Sequence, residues 1–386
     1  MLTNVTNNSE VGSSFFEDVL PHSQGKLIFL YIFISLVVSV TVIGNTLVIL
    51  AFVSDKRIRN QSNFFLLNLA ICDFFIGAVC IPLSTPFILT GKWTLGRFLC
   101  KLWLIADNLM CTASVFNILL ISYDRFFSIT MAIRYRSQQK NHTQTILKMG
   151  AVWILSFLLY SPAIIFWKNE DNSTTESDCV PGYYLTWYFL LGASTFDFYL
   201  PLISISFFNL SVYWNIRTRS RKKRPTMVQP TLYHEKEMTA KLSIISGNTV
   251  FERCNDTKTI NSRNITNLIT KIKKHSHITP GSTEAGETVK SRLSAIKLSR
   301  DKKAAKSLAL LVCVFGVCWA PYTCLQSVRA ACHNDCVESY WNEITAWLLW
   351  LNSSVNPIMY PLCHRSFSKA IMKIFNKFMK NMSLKF

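Results

Sequence analysis

Three aspartates stand inside long apolar runs: Asp73 within 62–90, Asp107 within 97–130 and Asp197 within 186–214. An acid in such surroundings is costly and marks a functional site by default. No Lys or Arg in the outer half of a run is an obvious partner for any of them. The acids therefore call for an external cation: a proton, a metal ion or an organic ammonium. A protonated acid bonded to a neighbouring helix is the plain alternative, strong for one acid and weaker for three. Asp107 follows Cys100 by two helical turns, roughly 10 Å at the helical rise, shallow enough for a ligand entering from outside. Asp73 lies at mid-depth. Ser114, two turns below Asp107, and Asn352, Ser353 and Asn356 offer neutral oxygens there. A carboxylate among neutral oxygens suits a small hard cation, sodium above all.

Aromatic residues gather in two later runs at Trp319, Tyr322, Trp347 and Trp350. Aromatic faces attract organic cations. Such stripes are more often packing, and the carboxylate across from them raises the cage reading above that prior. At the other end of the chemistry stand Asp124-Arg125-Phe126 and Asp301. An Arg between two acids can latch two helices together. Pro321 bends its helix, and a later run carries Asn356-Pro357-Ile358-Met359-Tyr360. Together these point to a bundle with two arrangements that a ligand can bias.

The elements that must position these residues are membrane helices. Apolar runs near 27–53, 62–90, 97–130, 146–168, 186–214, 304–330 and 340–362 each reach the ~20 residues needed to cross a bilayer. The chain of 386 residues is 50% hydrophobic and only 16% charged. Its net charge of +19 would suit nucleic acid, but the basic residues sit in loops at alternate ends of apolar runs. The expected fold is an all-α membrane protein, a seven-transmembrane helix bundle with an amphipathic interfacial eighth helix. Its divisions are an extracellular segment 1–26, helices one to five over 27–214, a basic and mostly disordered cytoplasmic loop 215–303, helices six and seven over 304–362, and an interfacial helix with a short tail over 363–386. Lys56, Arg57, Arg59, Arg134, Arg136, Lys140, Arg217 to Arg224 and the tail lysines fall on one side, which positive-inside bias makes cytoplasmic. The N terminus is then outside and the protein is a multi-pass component of the plasma membrane. No cleavable signal is visible in the polar stretch Met1 to Gly25, so the first helix serves as the anchor.

Outer-side features agree with this topology. Asn4, Asn7 and Asn172 open glycosylation sequons. Among twelve cysteines, Cys100 and Cys179 fall in the oxidising compartment and form the natural disulfide. Cys332 and Cys336 bracket a short turn and suggest a second. Beyond Cys363, Phe367, Ile371, Ile374, Phe375 and Phe378 share one helical face, largely apart from Lys369, Lys373, Lys377 and Lys380. Such a helix rests on membrane lipids.

The order of these motifs resembles rhodopsin-like (class A) G-protein-coupled receptors, from end to end except the N terminus and the long inner loop. It is carried by Gly44-Asn45, Leu69-Ala70 with Asp73, Cys100, Asp124-Arg125-Phe126, Trp153, Pro201, Cys318-Trp319-Ala320-Pro321 and Asn356-Pro357 through Tyr360. Asp107 marks the aminergic branch, whose members pair it with a ligand ammonium. Within that branch the chain resembles histamine receptors, nearest the third subtype and next the fourth. Cys100 to Leu104, Leu120 to Phe126, Phe207 to Ser211, Arg300 to Lys303, Arg329 to His333 and Tyr360 to His364 carry that likeness.

The resemblance implies a ligand site at Asp107, Asn108, Cys111, Asp197, Trp319, Tyr322, Thr323 and Trp350. It implies a sodium site at Asp73, Ser114, Asn352 and Ser353, and a coupling switch at Asp124, Arg125, Asp301, Asn356, Pro357 and Tyr360. The implied partners are a small cationic amine, a heterotrimeric G protein of the inhibitory class, arrestin and receptor kinases; no catalytic residue or organic cofactor is expected. The pocket departs from the subtype pattern. Asp197 replaces Glu, Asn108 replaces Tyr, Ala346 replaces Phe, and Ser84 replaces a Tyr of the third subtype. Histamine leads as ligand, with a diamine or another biogenic amine as rival. A transporter is less favoured because neither internal repeats nor matched broken helices are present. An enzyme is disfavoured because His333 and His364 lie at opposite ends of the bundle.

Overall fold

The computed structural model describes residues 24–138, 142–166, 179–221, 283–332, 339–363 and 365–383, and the described residues are helical with no strand. Two units divide the chain: Met1–Ile216 with Asp301–Phe386, and Arg217–Arg300. Everything that positions the site belongs to the first. The sequons at Asn4, Asn7 and Asn172 lie outside the described residues.

Seven long helices follow in order. The first is Gln24–Ser54 and the second runs over Gln61–Thr90. The third is Gly96–Thr130, the fourth His142–Phe166, and the fifth runs over Trp187–Arg221. The sixth is Thr283–Ala331 and the seventh Ser339–Cys363. The first six contain spans long and apolar enough to cross a bilayer. The seventh falls short on that criterion because Asn342, Asn352, Ser353, Ser354 and Asn356 interrupt it. Four of those five are buried against neighbouring helices rather than turned to lipid. The sixth begins well ahead of residue 304, where hydropathy places it, because Glu, Lys, Arg and Ala sustain a helix without any apolar signal.

Local chemistry sets the turns. Asp55 accepts from the Arg57 backbone N–H at 3.0 Å, and Asn60 caps the second helix by accepting from Asn63 N–H at 3.0 Å. Gly91 ends that helix in the left-handed region (φ 68°), where a side chain would be strained. Trp93 folds into the following loop and donates to the Gly96 carbonyl at 3.0 Å.

Two helices contain a single wide π turn, at Ile76–Cys80 in the second and Thr195–Tyr199 in the fifth. Each precedes a proline, Pro82 and Pro201. Pro201 has no N–H to return to the Asp197 carbonyl four residues earlier, which loosens the ladder at that point. Wide turns of this kind cluster at functional sites.

Small and polar residues hold the bundle together, as expected where lipid offers no hydrophobic drive between helices. A Cβ on Gly44 would stand 2.7 Å from Pro357 Cγ, so only glycine lets the first and seventh helices meet there. Asn68 Nδ2 donates to Asn117 Oδ1 at 2.8 Å, and Trp153 Nε1 donates to Asn68 Oδ1 at 3.0 Å, tying the second, third and fourth helices. The last helix, Arg365–Ser383, follows the seventh and is strongly amphipathic, as expected. Phe367 is fully buried, and Lys373 pairs with Asp55 at 3.7 Å.

Candidate functional site

Two buried clusters lie along the bundle axis, with a third at the Arg125 end. Nearest the Cys100 end, Cys100 and Cys179 form a disulfide with Cα atoms 5.6 Å apart, as the sequence leads one to expect. It holds the segment before the fifth helix against the third. Cys332 is also disulfide-bonded, while Cys336 lies outside the described residues.

Asp107 is half-buried. Its Oδ1 accepts from Trp350 Nε1 of the seventh helix at 3.0 Å. The Cys80 thiol, at the end of the wide turn in the second helix, donates to the same carboxylate. Trp103 Nε1 donates to the Cys80 carbonyl at 3.0 Å and fastens that turn to the third helix. Trp347 meets Trp350 edge to face with centroids 5.1 Å apart. The carboxylate and the tryptophans named from the sequence thus come together, and Cys80 joins them unannounced. A small thiol in an apolar run carries no sequence signal of its own.

Asp197 is 7% exposed and sits in the wide turn of the fifth helix. Tyr160 of the fourth helix donates its phenol to Asp197 Oδ2. Asp197 Oδ1 has no hydrogen-bond partner. The acid is therefore both things the sequence leaves open: fastened to a neighbouring helix through one oxygen and free at the other. Tyr160 is the residue that sequence reasoning misses. Its signal is a phenol in the middle of an apolar run, where a buried O–H needs an acceptor.

The remaining pocket residues divide. Trp319 is buried, stands 5.8 Å from the Phe315 ring and leaves its Nε1 unpartnered. Cys111 and Thr323 are buried, and Thr323 Oγ1 donates to its own helix at the Trp319 carbonyl. Asn108 Nδ2 donates to the Leu104 carbonyl at 2.8 Å, so its amide nitrogen turns to its own helix. Tyr322 of the sixth helix is half-buried.

Deeper in the bundle, Asp73 is fully buried. It accepts from Ser114 Oγ at 3.2 Å, from Asn356 Nδ2 at 2.8 Å and from the Ser353 hydroxyl. Asn352 is buried with its Oδ1 unpartnered. Asn356, assigned from the sequence to the switch, is thus a direct partner of Asp73.

At the Arg125 end, Asp124 is 2% exposed and accepts from the Tyr135 hydroxyl at 3.1 Å. Tyr135 belongs to the short helix Ala132–Gln138 outside the bundle. Burial and the adjacent Asp124 carboxylate hold its phenol well above the usual range, so it remains a proton donor. No salt bridge joins Arg125 to Asp301 among the described residues; the Arg125 charge acts on the adjacent Asp124 carboxylate. The side chain of Tyr360 lies outside the described residues.

The buried acids stand on helices long and apolar enough to cross a membrane. The chain belongs to the rhodopsin family of seven-transmembrane receptors, whose family model matches residues 44–360. It is 38% identical over 346 residues to the histamine H4 receptor of Mus musculus, covering 86% of this chain and 88% of that protein. It is 38% identical over 367 residues to the histamine H4 receptor of Homo sapiens, covering 89% and 90%. The receptor of the same name from Rattus norvegicus is 37% identical over 374 residues, covering 92% and 94%. These relatives carry the fourth-subtype likeness, which the motifs place second.

Proposed function

We propose that this protein is a plasma-membrane receptor for a small biogenic amine, foremost histamine, with its N terminus outside and an inhibitory G protein as its partner. The observation that carries the reading is the half-buried Asp107 carboxylate, met only by neutral donors, Trp350 and Cys80, beside a tryptophan pair. A ligand ammonium supplies the missing positive charge. The names of the relatives support histamine as that amine and are the reason it leads over a diamine. Breaking a buried ion pair by removing one partner costs roughly 3–5 kcal/mol. Asp107→Asn is therefore expected to abolish high-affinity amine binding while surface expression survives. Normal histamine potency in that variant would overturn the assignment.

A diamine has its own support in Asp197 Oδ1, the free oxygen of a second acid. If histamine proves inert and a longer diamine activates the receptor, that reading replaces the first. Sodium is the ion proposed for the Asp73 cluster. The donor set fits a hard cation: one carboxylate, the Ser114 and Ser353 hydroxyls, and a buried Asn352 oxygen with no partner. Bound there, it supplies one fixed positive charge opposite Asp73. Arrestin and receptor kinases are proposed as regulatory partners on the family likeness, and membrane lipids as the bed of the Arg365–Ser383 helix.

A further inference from the structure

Near its Arg125 end the third helix is deeply covered, with one opening. Ile121, Ser122 and Asp124 are exposed by 3%, 0% and 2%, while Tyr123 among them is exposed by 36%. The opening lies between the fourth and fifth helices, because each lends one side chain to the Tyr123 ring. Lys148 of the fourth places its Nζ 5.5 Å from the ring centroid. Phe208 of the fifth meets the ring edge to face at 5.7 Å. Phe127, one turn on in the third helix, stacks beside Tyr123 at 6.0 Å with the planes 13° apart. Phe207 stands next to Phe208 at 5.8 Å and is 59% exposed. Two stacked rings thus form a floor, with a cation on one wall and a phenyl ring on the other.

The cation is the feature that packing alone does not explain. Lys148 is half-buried and stands six residues after His142, roughly 9 Å along the fourth helix. It lies within the apolar span of that helix, as Tyr123 and Phe208 do within theirs, so lipid rather than water fills the opening. A charge in such a place calls for an opposite charge. No salt bridge to Lys148 is found among the described residues. Its ammonium is turned onto a ring, which supplies a partial negative charge and no formal one.

We propose that this opening seats one anionic phospholipid, whose headgroup pairs with Lys148 and whose acyl chain lies over Tyr123 and Phe208. The phosphodiester accepts from the ammonium. A headgroup of net negative charge, such as that of phosphatidylserine, is preferred over phosphatidylcholine, whose own quaternary ammonium opposes Lys148. Phe127 also meets Tyr135 edge to face at 6.2 Å, and Tyr135 is the donor to Asp124. A seated lipid therefore braces the short helix Ala132–Gln138 against the bundle. The site does not depend on which amine the receptor takes.

The test places the full-length receptor in nanodiscs of phosphatidylcholine, with and without phosphatidylserine and cholesterol. Lipids retained after extraction into detergent are counted by native mass spectrometry, and melting temperatures are read in the discs. The native protein should retain phosphatidylserine in preference to the other two and melt higher when it is present. Lys148→Gln should lower that preference about tenfold, which is 1.4 kcal/mol, and lose the melting shift. Lys148→Arg keeps a cation able to lie on a ring and should retain both. Lys303→Gln removes an exposed cation elsewhere and should change neither. Unchanged preference in Lys148→Gln overturns the proposal. An equal loss in Lys303→Gln overturns it as well, since it marks a general attraction of basic residues for acidic lipid. Retention of cholesterol in place of phosphatidylserine means a flat neutral occupant, and the anion role falls. If Lys148→Gln melts lower by the same amount in every disc and the native protein shows no lipid preference, Lys148 packs on Tyr123 and seats no lipid.

Discussion

A single hydrogen bond ties one oxygen of Asp197 to the fourth helix, and the other is the one proposed for the ligand. Tyr160 holds one carboxylate oxygen, and removing that donor strands a buried acceptor at a cost of about 1–3 kcal/mol. Tyr160→Phe should therefore lower the melting temperature of the ligand-free receptor, read in detergent or nanodiscs. Asp197→Ala removes the acceptor itself and is expected to lower amine potency by tenfold or more in a G-protein assay. No change for any active amine would reduce Asp197 to a tie between the fourth and fifth helices. The acids were visible in the sequence because a charge inside an apolar run is rare and expensive. Their partners were not. Tyr160 and Cys80 are unexceptional residue types, and only the three-dimensional arrangement shows that each faces an acid.

Helices meet in this bundle where a residue is small enough to let them. Gly44 against Pro357 is the clearest case, because the proline ring has nowhere to go. Gly44→Ala should cost about 1–3 kcal/mol through overpacking, seen as reduced surface expression and a lower melting temperature. Gly150, in the fourth helix, has nothing within 4 Å of an added Cβ. Gly150→Ala should leave stability unchanged or raise it by up to about 1 kcal/mol through helix propensity. Equal losses at both positions would show that close approach is not what selects glycine at 44. Most span boundaries follow from hydropathy to within a few residues, while the fifth runs on to Arg221 and the sixth begins at Thr283. The wide turns at Ile76–Cys80 and Thr195–Tyr199 do not, since one extra residue per turn leaves an all-apolar run looking the same. The likeness to the third subtype is unconfirmed, while the fourth, placed next, is matched by relatives. The stretches used to judge it are framework, so they say little about the ligand-facing positions.

The bundle as a whole must exist in more than one arrangement to signal. Asp73 joins the third and seventh helices through Ser114, Ser353 and Asn356, so an ion there favours whichever arrangement keeps those contacts. An ion that binds one arrangement must lower the affinity of a ligand that prefers the other, because linkage is reciprocal. Replacing sodium chloride with N-methylglucamine chloride is expected to raise agonist affinity in the native receptor and to have no effect in Asp73→Asn. A salt response that persists in the variant would move the ion elsewhere. At the opposite end, no salt bridge joins Arg125 to Asp301 among the described residues, and their pairing is proposed for the resting arrangement. Asp301→Ala should then raise ligand-free signalling, and a shift of 1.4 kcal/mol suffices for about a tenfold change in state ratio. Unchanged basal signalling per receptor would remove the pair from the switch.

The wide turn at Thr195–Tyr199 also bears on how such a receptor can change over generations. An α-helix turns about 100° per residue. Losing or gaining one residue at a straight stretch would swing everything beyond it to a new bearing and scramble both ends together. A helix that already carries one surplus residue can absorb such an edit locally. The half of the fifth helix before the turn can then be re-aimed by a single codon, while the half after it keeps its bearing. Insertions and deletions, ruinous elsewhere in a packed helix, become at this position a way of exchanging one ligand for another under an unchanged signalling face.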